Sequence, residues 1–394
     1  MTSLGVAVLV AGASGCGDPS ATVPTRDAEE AFVFFSRVLQ PPGRTNFVSI
    51  LPSLEGSEVD LSSARLELGG FSRVRVFEGD LLVFFGESGE IARYVVEPDL
   101  SLTERARLSM VNEGVSSFFN TIIFVSPTRA YYVHAEQSQV VVWNPREMTV
   151  TGTFALDLRV EAFEEVIVGP PTLLQDQILL PVAWVDRVSD EPRRVVGVAR
   201  LSANEDRLIG VSVDDRCGFS LAGFADAGKY YAVGDWRGGV YTAYADVVLP
   251  PPCLLEFDPS TAEFSESELD LNSVTGAPAV DGAFGLGNGT FAVRVYDAPI
   301  DFDSIRTDYP DPNQYFNLEV WRWGTINLST GRTELVEDLP LSAASFAPVI
   351  IDGNPYVGVA EESLGRSTFF RIQGSSATPI IRAPGEILNV LRIR

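Results

Sequence analysis

The chain has 394 residues, 45% of them apolar, and its 24 Phe, 11 Tyr and 5 Trp are enough to build a large core. A formal net charge of −24 with no basic tract argues against nucleic acid, whose phosphate backbone demands clustered Lys and Arg. The 34 Gly and 25 Pro are spread between short apolar runs, the texture of many strands and many turns, and no segment of helical length keeps an i, i+3, i+4, i+7 pattern.

In chain order, the first feature is an uncharged apolar stretch, Leu4 to Ala13, too short to span a bilayer and of the right length for the h-region of an export signal. It runs into Ala13, Ser14, Gly15 and Cys16, an arrangement that resembles the bacterial lipobox. That resemblance implies a signal peptide over residues 1–15 and lipidation of Cys16, so that the protein is anchored to a membrane without spanning it. Ala13 stands where Leu is usual, and no Lys or Arg precedes the apolar run. Residues 16–30 read as the lipidated cysteine and a flexible tether, and residues 31–394 as one domain.

Strands are expected at 31–39 and 47–54, followed by six modules at about 71–110, 117–157, 166–213, 221–271, 280–336 and 342–382. Each module carries the same phrase, an apolar strand, a tight polar turn and a returning strand. Aligned on the turn, the anchors are Glu97, Asn144, Ser202, Asp258, Asn327 and Gln373, at intervals of 46 to 69 residues. Intervals of this size are those of four-stranded blades with unequal loops, so the fold class is all-β, a β-propeller. The chain ends in an apolar strand, Ile387 to Ile393, with no module of its own. Because open sheet edges invite aggregation, this strand is expected to supply the inner strand of a composite blade with 31–39 and 47–54. Six modules and one composite blade make seven, with six or eight as the alternatives that unequal modules leave open.

Cys217 and Cys253 form an even pair once Cys16 is set aside, in a chain with an export signal, and the expectation is a disulfide. Between them lie Asp235, Trp236, Arg237, Tyr241 and Tyr244, a turn-borne aromatic set suited to stacking and cation–π contact with a ligand, or else to blade core and a decorated hairpin. A second long segment, 297–316, carries Asp297, Asp301, Asp303, Asp308 and Asp311 but no calcium-loop pattern, and reads as a solvated surface loop.

Enzyme signatures are sparse, and no catalytic residue, metal ligand or cofactor is assigned. His134 is the single histidine and sits in an alternating strand, where a structural role is the default. The Gly285–Thr290 stretch lies between two β runs and reads as a hairpin turn in preference to a phosphate cradle. The pairs Asp214/Asp215, Glu164/Glu165 and Glu361/Glu362 offer carboxylates that a propeller funnel can gather, although acidic pairs on turns are usually solvated.

Taken together, the lipobox-like start, the acidic seven-module pattern, Asp214-Asp215-Arg216-Cys217, Tyr231-to-Asp235 and Pro250-Pro251-Pro252-Cys253-Leu254 resemble the MxcI-like lipoproteins of myxobacteria. The similarity spans about Ala31 to the C-terminus, and its specific part runs from Asp214 to Leu254. It implies a propeller associated with a catecholate siderophore (myxochelin) gene cluster, and it supplies no catalytic residues. The expected function is a non-enzymatic, envelope-anchored propeller of a Gram-negative bacterium, in the periplasm or at the outer membrane. It would bind a small ligand or an envelope protein and touch the membrane through its lipid alone. A metal-dependent lactonase-like hydrolase using funnel carboxylates, and a structural scaffold, are the other two readings.

Overall fold

The structure is a computed structural model that describes residues 30–40, 43–56, 58–159, 164–186, 193–218, 220–233, 252–277, 280–297, 318–343, 348–361 and 365–394. Seven antiparallel sheets make seven blades. The first six span residues 73–109, 122–155, 164–214, 222–270, 280–335 and 349–384, each in simple meander order. The seventh is composite, with Glu386–Arg392 innermost, then Phe32–Gln40, Gly43–Leu51 and Leu66–Gly69. The C-terminal strand pairs antiparallel with the first strand, Phe32 opposite Arg392 and Arg37 opposite Glu386, with a register shift at Phe35/Ser36. The seam thus joins the two ends of the chain, as the orphan strand required.

Why these sequences become blades is visible in the first. Its second strand, Asp80–Phe85, is buried on both faces because a neighbouring blade covers each. Successive side chains point to opposite faces. Leu82 and Phe84 accordingly enter the cluster shared with the second blade, while Leu81 and Val83 enter the cluster shared with the composite blade. The outer strand Leu102–Ser109 is mostly solvated and carries charge at Glu104, Arg105 and Arg107. Seven apolar clusters fill the seven gaps between blades, so the core is a ring of interfaces and not one central mass. Each fully buried Leu, Val or Phe in them contributes about 1.5–3 kcal/mol by the area measure.

The strand order gives the ring two unlike faces. On one, the turn face, lie the hairpins Glu78-Gly79, Ala227-Gly228, Asn288-Gly289 and Asp352-Gly353, with both central residues at positive φ as two-residue primed turns require. The stretch around Gly287-Asn288-Gly289-Thr290 is one of these hairpins, as its flanks indicated. The repeated anchor turns lie on the same face, and four of the six anchor side chains hold their own turns, whereas Glu97 pairs with Arg105 and leaves the capping of its turn to Asp99. Asn144 Oδ1 accepts from the backbone N–H of Arg146 and Glu147, at 3.0 and 3.1 Å. Ser202 Oγ accepts from Glu205 N at 3.1 Å, Asp258 Oδ1 from Ser260 N at 2.8 Å, and Asn327 Oδ1 from Ser329 N and Thr330 N, each at 3.1 Å. These are short polar side chains standing in for a backbone turn. The opposite face, the connection face, carries the blade-to-blade crossings and the strand ends that flank 187–192, 234–251 and 298–317.

Two details go beyond the sequence reading. The inner strand of the third blade is broken into Glu164–Val168 and Thr172–Leu174, both paired to Gln177–Asp186, with Pro170 and Pro171 between them. Proline removes a ladder donor, so the pairing stops there and resumes. Cys217 lies in a bend after the outer strand of the third blade, and Cys253 opens the third strand of the fourth.

Candidate functional site

A cavity of about 450 Å³ lies on the propeller axis, where inner strands of several blades approach each other. Its polar lining is arginine and asparagine. Arg73 and Arg75 come from the inner strand of the first blade, Arg73–Phe77, and Arg37 comes from the composite blade. Asn120 precedes the inner strand of the second blade, and Asn389 lies on Glu386–Arg392. Phe35, Val349, Ile350, Leu388 and Leu391 form the apolar wall. Among the described residues no carboxylate lines it.

Local structure puts these groups there. Arg73 and Arg75 are two residues apart on one strand and so share a side, while Val74 between them is buried in the interface with the composite blade. Arg73 Nη1 donates to the carbonyls of Phe71 and Ser72, at 3.2 and 3.0 Å. Arg75 Nη1 donates to the Val74 carbonyl at 2.9 Å, and its Nη2 donates to Asn120 Oδ1. Arg37 is held from behind: its Nε donates to Asn46 Oδ1 at 3.2 Å, and its Nη1 lies 3.6 Å from Glu386 Oε2. Gly385 sets Glu386 in that place. It sits at φ +72°, and any side chain there would collide with the Arg37 carbonyl.

The electrostatics follow from this crowding. Burial lowers the pKa of Arg37, against the pull of Glu386, and Arg44 lowers it further. Burial also lowers Arg73, with Arg37 adding to the effect, and pushes Arg75 down to about 10, with Arg73 adding to it. Each charge feels the one before it. Burial in turn raises the Glu386 carboxyl, opposed by Arg37 and Arg44. Among the described residues neither Arg73 nor Arg75 has a carboxylate partner. The cavity is a cationic site inside a chain of net charge −24.

The residues singled out from sequence fall elsewhere. Cys217 and Cys253 are disulfide-bonded, buried, with Cα atoms 5.3 Å apart. They lock the approach to the fourth blade onto the strand at which 234–251 rejoins the fold. Asp235, Trp236, Arg237, Tyr241, Tyr244 and Cys16 lie outside the described residues. His134 ends a strand, is buried, and stacks on Tyr132 with centroids 5.6 Å apart; burial lowers its pKa, opposed by Glu136. Among the described residues the acidic pairs do not converge. Asp214 is tied to Arg216, which also donates to the carbonyls of Ser265 and Glu266 and so braces the third blade against the fourth. Glu361 accepts from Thr368 Oγ1, and Glu165 lies in the third blade. The Glu164 side chain and Glu362 lie outside the described residues, as does most of 297–316; Asp297 itself pairs with Arg322. No three His, Cys, Asp or Glu side chains among the described residues gather as a metal site would need.

The three arginines went unnoticed in the sequence, where Val74 and its neighbours read only as a strand. The available signal was an Arg-x-Arg alternation in the first strand of a module, the strand that faces the axis.

No family model and no curated protein matches the sequence. Solved structures do resemble it. The periplasmic gluconolactonase of Pseudomonas aeruginosa aligns with TM-score 0.58 at 10% identity, over 93% of this chain and 99% of that one. A putative 6-phosphogluconolactonase from Bacteroides uniformis gives 0.54 at 9% identity, over 92% and 99%. A hypothetical selenium-binding protein from Sulfolobus tokodaii gives 0.51 at 9% identity, over 92% of each chain. At such identities the likeness speaks to the fold alone, and the fold is a seven-bladed β-propeller.

Proposed function

We propose that this chain is a non-enzymatic binding propeller that takes a small ligand into its axial cavity, held at the cell envelope through a lipidated Cys16. The observation that carries the reading is the cavity lining: three guanidiniums, two carboxamides and an apolar wall, with no carboxylate among the described lining residues. Donors fixed around a half-apolar hollow of this size bind and orient a ligand. General acid–base work needs a titrating group beside the reacting atoms, and arginine stays protonated at neutral pH. The resemblance to siderophore-associated lipoproteins names the first ligand to try, since a ferric catecholate complex is an anion and the lining is cationic.

The second reading, a lactonase-like hydrolase, is favoured by the names of two structural neighbours. One pair of measurements separates them. Ferric tris-catecholate, titrated into the mature protein with intrinsic tryptophan fluorescence as readout, is expected to bind saturably. Glucono-1,5-lactone and 6-phosphogluconolactone are expected to hydrolyse no faster than in buffer. Heat-sensitive turnover of either lactone overturns the binding reading.

A further inference from the structure

We infer that the axial cavity recognises an organic dianion, two acidic groups carried on one compact apolar skeleton, with Arg73 and Arg75 as the recognising pair. The inference rests on the binding reading above and specifies its ligand class.

The charge count comes first. Arg37, Arg73 and Arg75 stand together, and the one buried carboxylate beside them, Glu386, is 3.6 Å from Arg37 and turned toward it. Two positive charges are therefore left without a carboxylate among the described residues. Arg73 and Arg75 spend some of their donors on the carbonyls of Phe71, Ser72 and Val74 and on Asn120, and these contacts fix the guanidiniums without neutralising them. A guanidinium has five N–H donors in a rigid fork that matches a carboxylate or phosphate edge, so donors remain for a ligand.

Spacing comes second. Residues i and i+2 of a strand stand about 7 Å apart along it. A dianion with its charges on opposite sides of a small ring or short chain can meet both, whereas a single anionic group meets one of them at full strength. The wall comes third. Phe35, Val349, Leu388 and Leu391 line the same cavity, and Ile350 lies there with 47% of its surface exposed. An inorganic ion would leave that surface against water, whereas an apolar skeleton covers it. Arg37 has the positioning role. Held by Asn46 and Glu386, it crowds Arg73 and sharpens the demand for negative charge.

The test uses the mature protein and four probes: isophthalate as the dianion, benzoate as the monoanion, isophthalamide as the neutral isostere, and pyrophosphate as an inorganic polyanion, of at least equal charge, without an apolar body. Isothermal titration at fixed pH and ionic strength gives each Kd. Isophthalate is expected to bind at least about tenfold tighter than each of the other three, the worth of one added charge-assisted hydrogen-bonding group. Arg73→Gln and Arg75→Gln are each expected to weaken it by a similar factor, with part of the affinity retained in Arg73→Lys. Thermal melting of each variant at or above that of the parent shows that a loss belongs to the site. Equal affinity for isophthalate and isophthalamide, or for isophthalate and pyrophosphate, overturns the inference, as does indifference to both Gln substitutions. A cavity that takes the neutral probe and ignores the arginines leaves the binding propeller standing and removes the dianion; lactone turnover removes the propeller's binding role first.

Discussion

Replacing Arg75 with Met is expected to stabilise the protein. Arg75 has its pKa pushed down to about 10, well below the ordinary guanidinium range, chiefly by burial and then by Arg73. At roughly 1.4 kcal/mol per pH unit, holding that charge in place costs the folded state about 3 kcal/mol. The sign is that of a cation disfavoured on folding. The unfolded chain binds the proton more tightly, so the cost is present in full below pH 10 and is released only as pH climbs from about 10 toward the ordinary guanidinium value. Against it stand the bonds to the Val74 carbonyl and to Asn120. Asn120 is exposed and regains water when its partner leaves, so the loss is about 1–2 kcal/mol. Methionine keeps the length of the side chain and adds apolar surface to a wall already made of Leu388 and Leu391. The balance is a gain of about 1–2 kcal/mol, or about 1–3 °C in Tm for a domain of this size. Urea melts followed by tryptophan fluorescence at pH 7, repeated at pH 10.5, measure it, and the gain should shrink at the higher pH. A variant less stable than the parent at pH 7 refutes the reasoning, because Arg75 would then be a structural strut and not a charge kept for a ligand.

Two further expectations concern the scaffold. Deleting residues 386–394 removes the inner strand of the composite blade, including buried Ile387, Val390 and Ile393, and strips a pairing partner from Phe32–Gln40. Cooperative melting should be lost and the protein should aggregate on size-exclusion chromatography; a truncated chain that melts like the parent contradicts the role given to the seam. Changing Cys217 and Cys253 together to Ser opens a 36-residue loop and should lower stability by about 3–4 kcal/mol in the chain-entropy view, read by denaturant midpoint. An unchanged midpoint would mean that the bridge constrains little.

How much of this could be read from the chain depended on how local the cause was. The anchor turns were legible because each is decided within five residues: Asn144, Asp258 and Asn327 cap their own following amides, and the spacing between such turns is the blade length. The seam was legible because Ile387–Ile393 is plainly a strand and plainly lacks a module, and ring closure leaves it one place to go. The disulfide followed from parity and from the expectation of export. The arginine cavity was not legible, because it is assembled from residues some 350 positions apart in the chain, Arg37 against Asn389. Nothing near Arg37 says that it will meet Arg73, nor that Glu386 will stand behind it. The acidic pairs misdirected attention for the complementary reason: Asp214 finds its partner two residues away in Arg216, and a charge satisfied so locally has none left for the axis.

The seam has a mechanical consequence. The chain enters the ring at Ala31, whose amide bonds the Arg394 carbonyl at 3.1 Å, and Glu30 pairs with Arg392 on the turn face. An anchor at Cys16, as proposed, would pull on the ring through these residues. Such a tug runs along Phe32–Gln40, a strand flanked on one side by Glu386–Arg392 and on the other by Gly43–Leu51. Antiparallel ladder bonds lie perpendicular to the strand, so the pull loads them in shear, many at once, where a peeling edge would give way one bond at a time. The first strand is thereby well placed to bear a load applied at its N-terminal end.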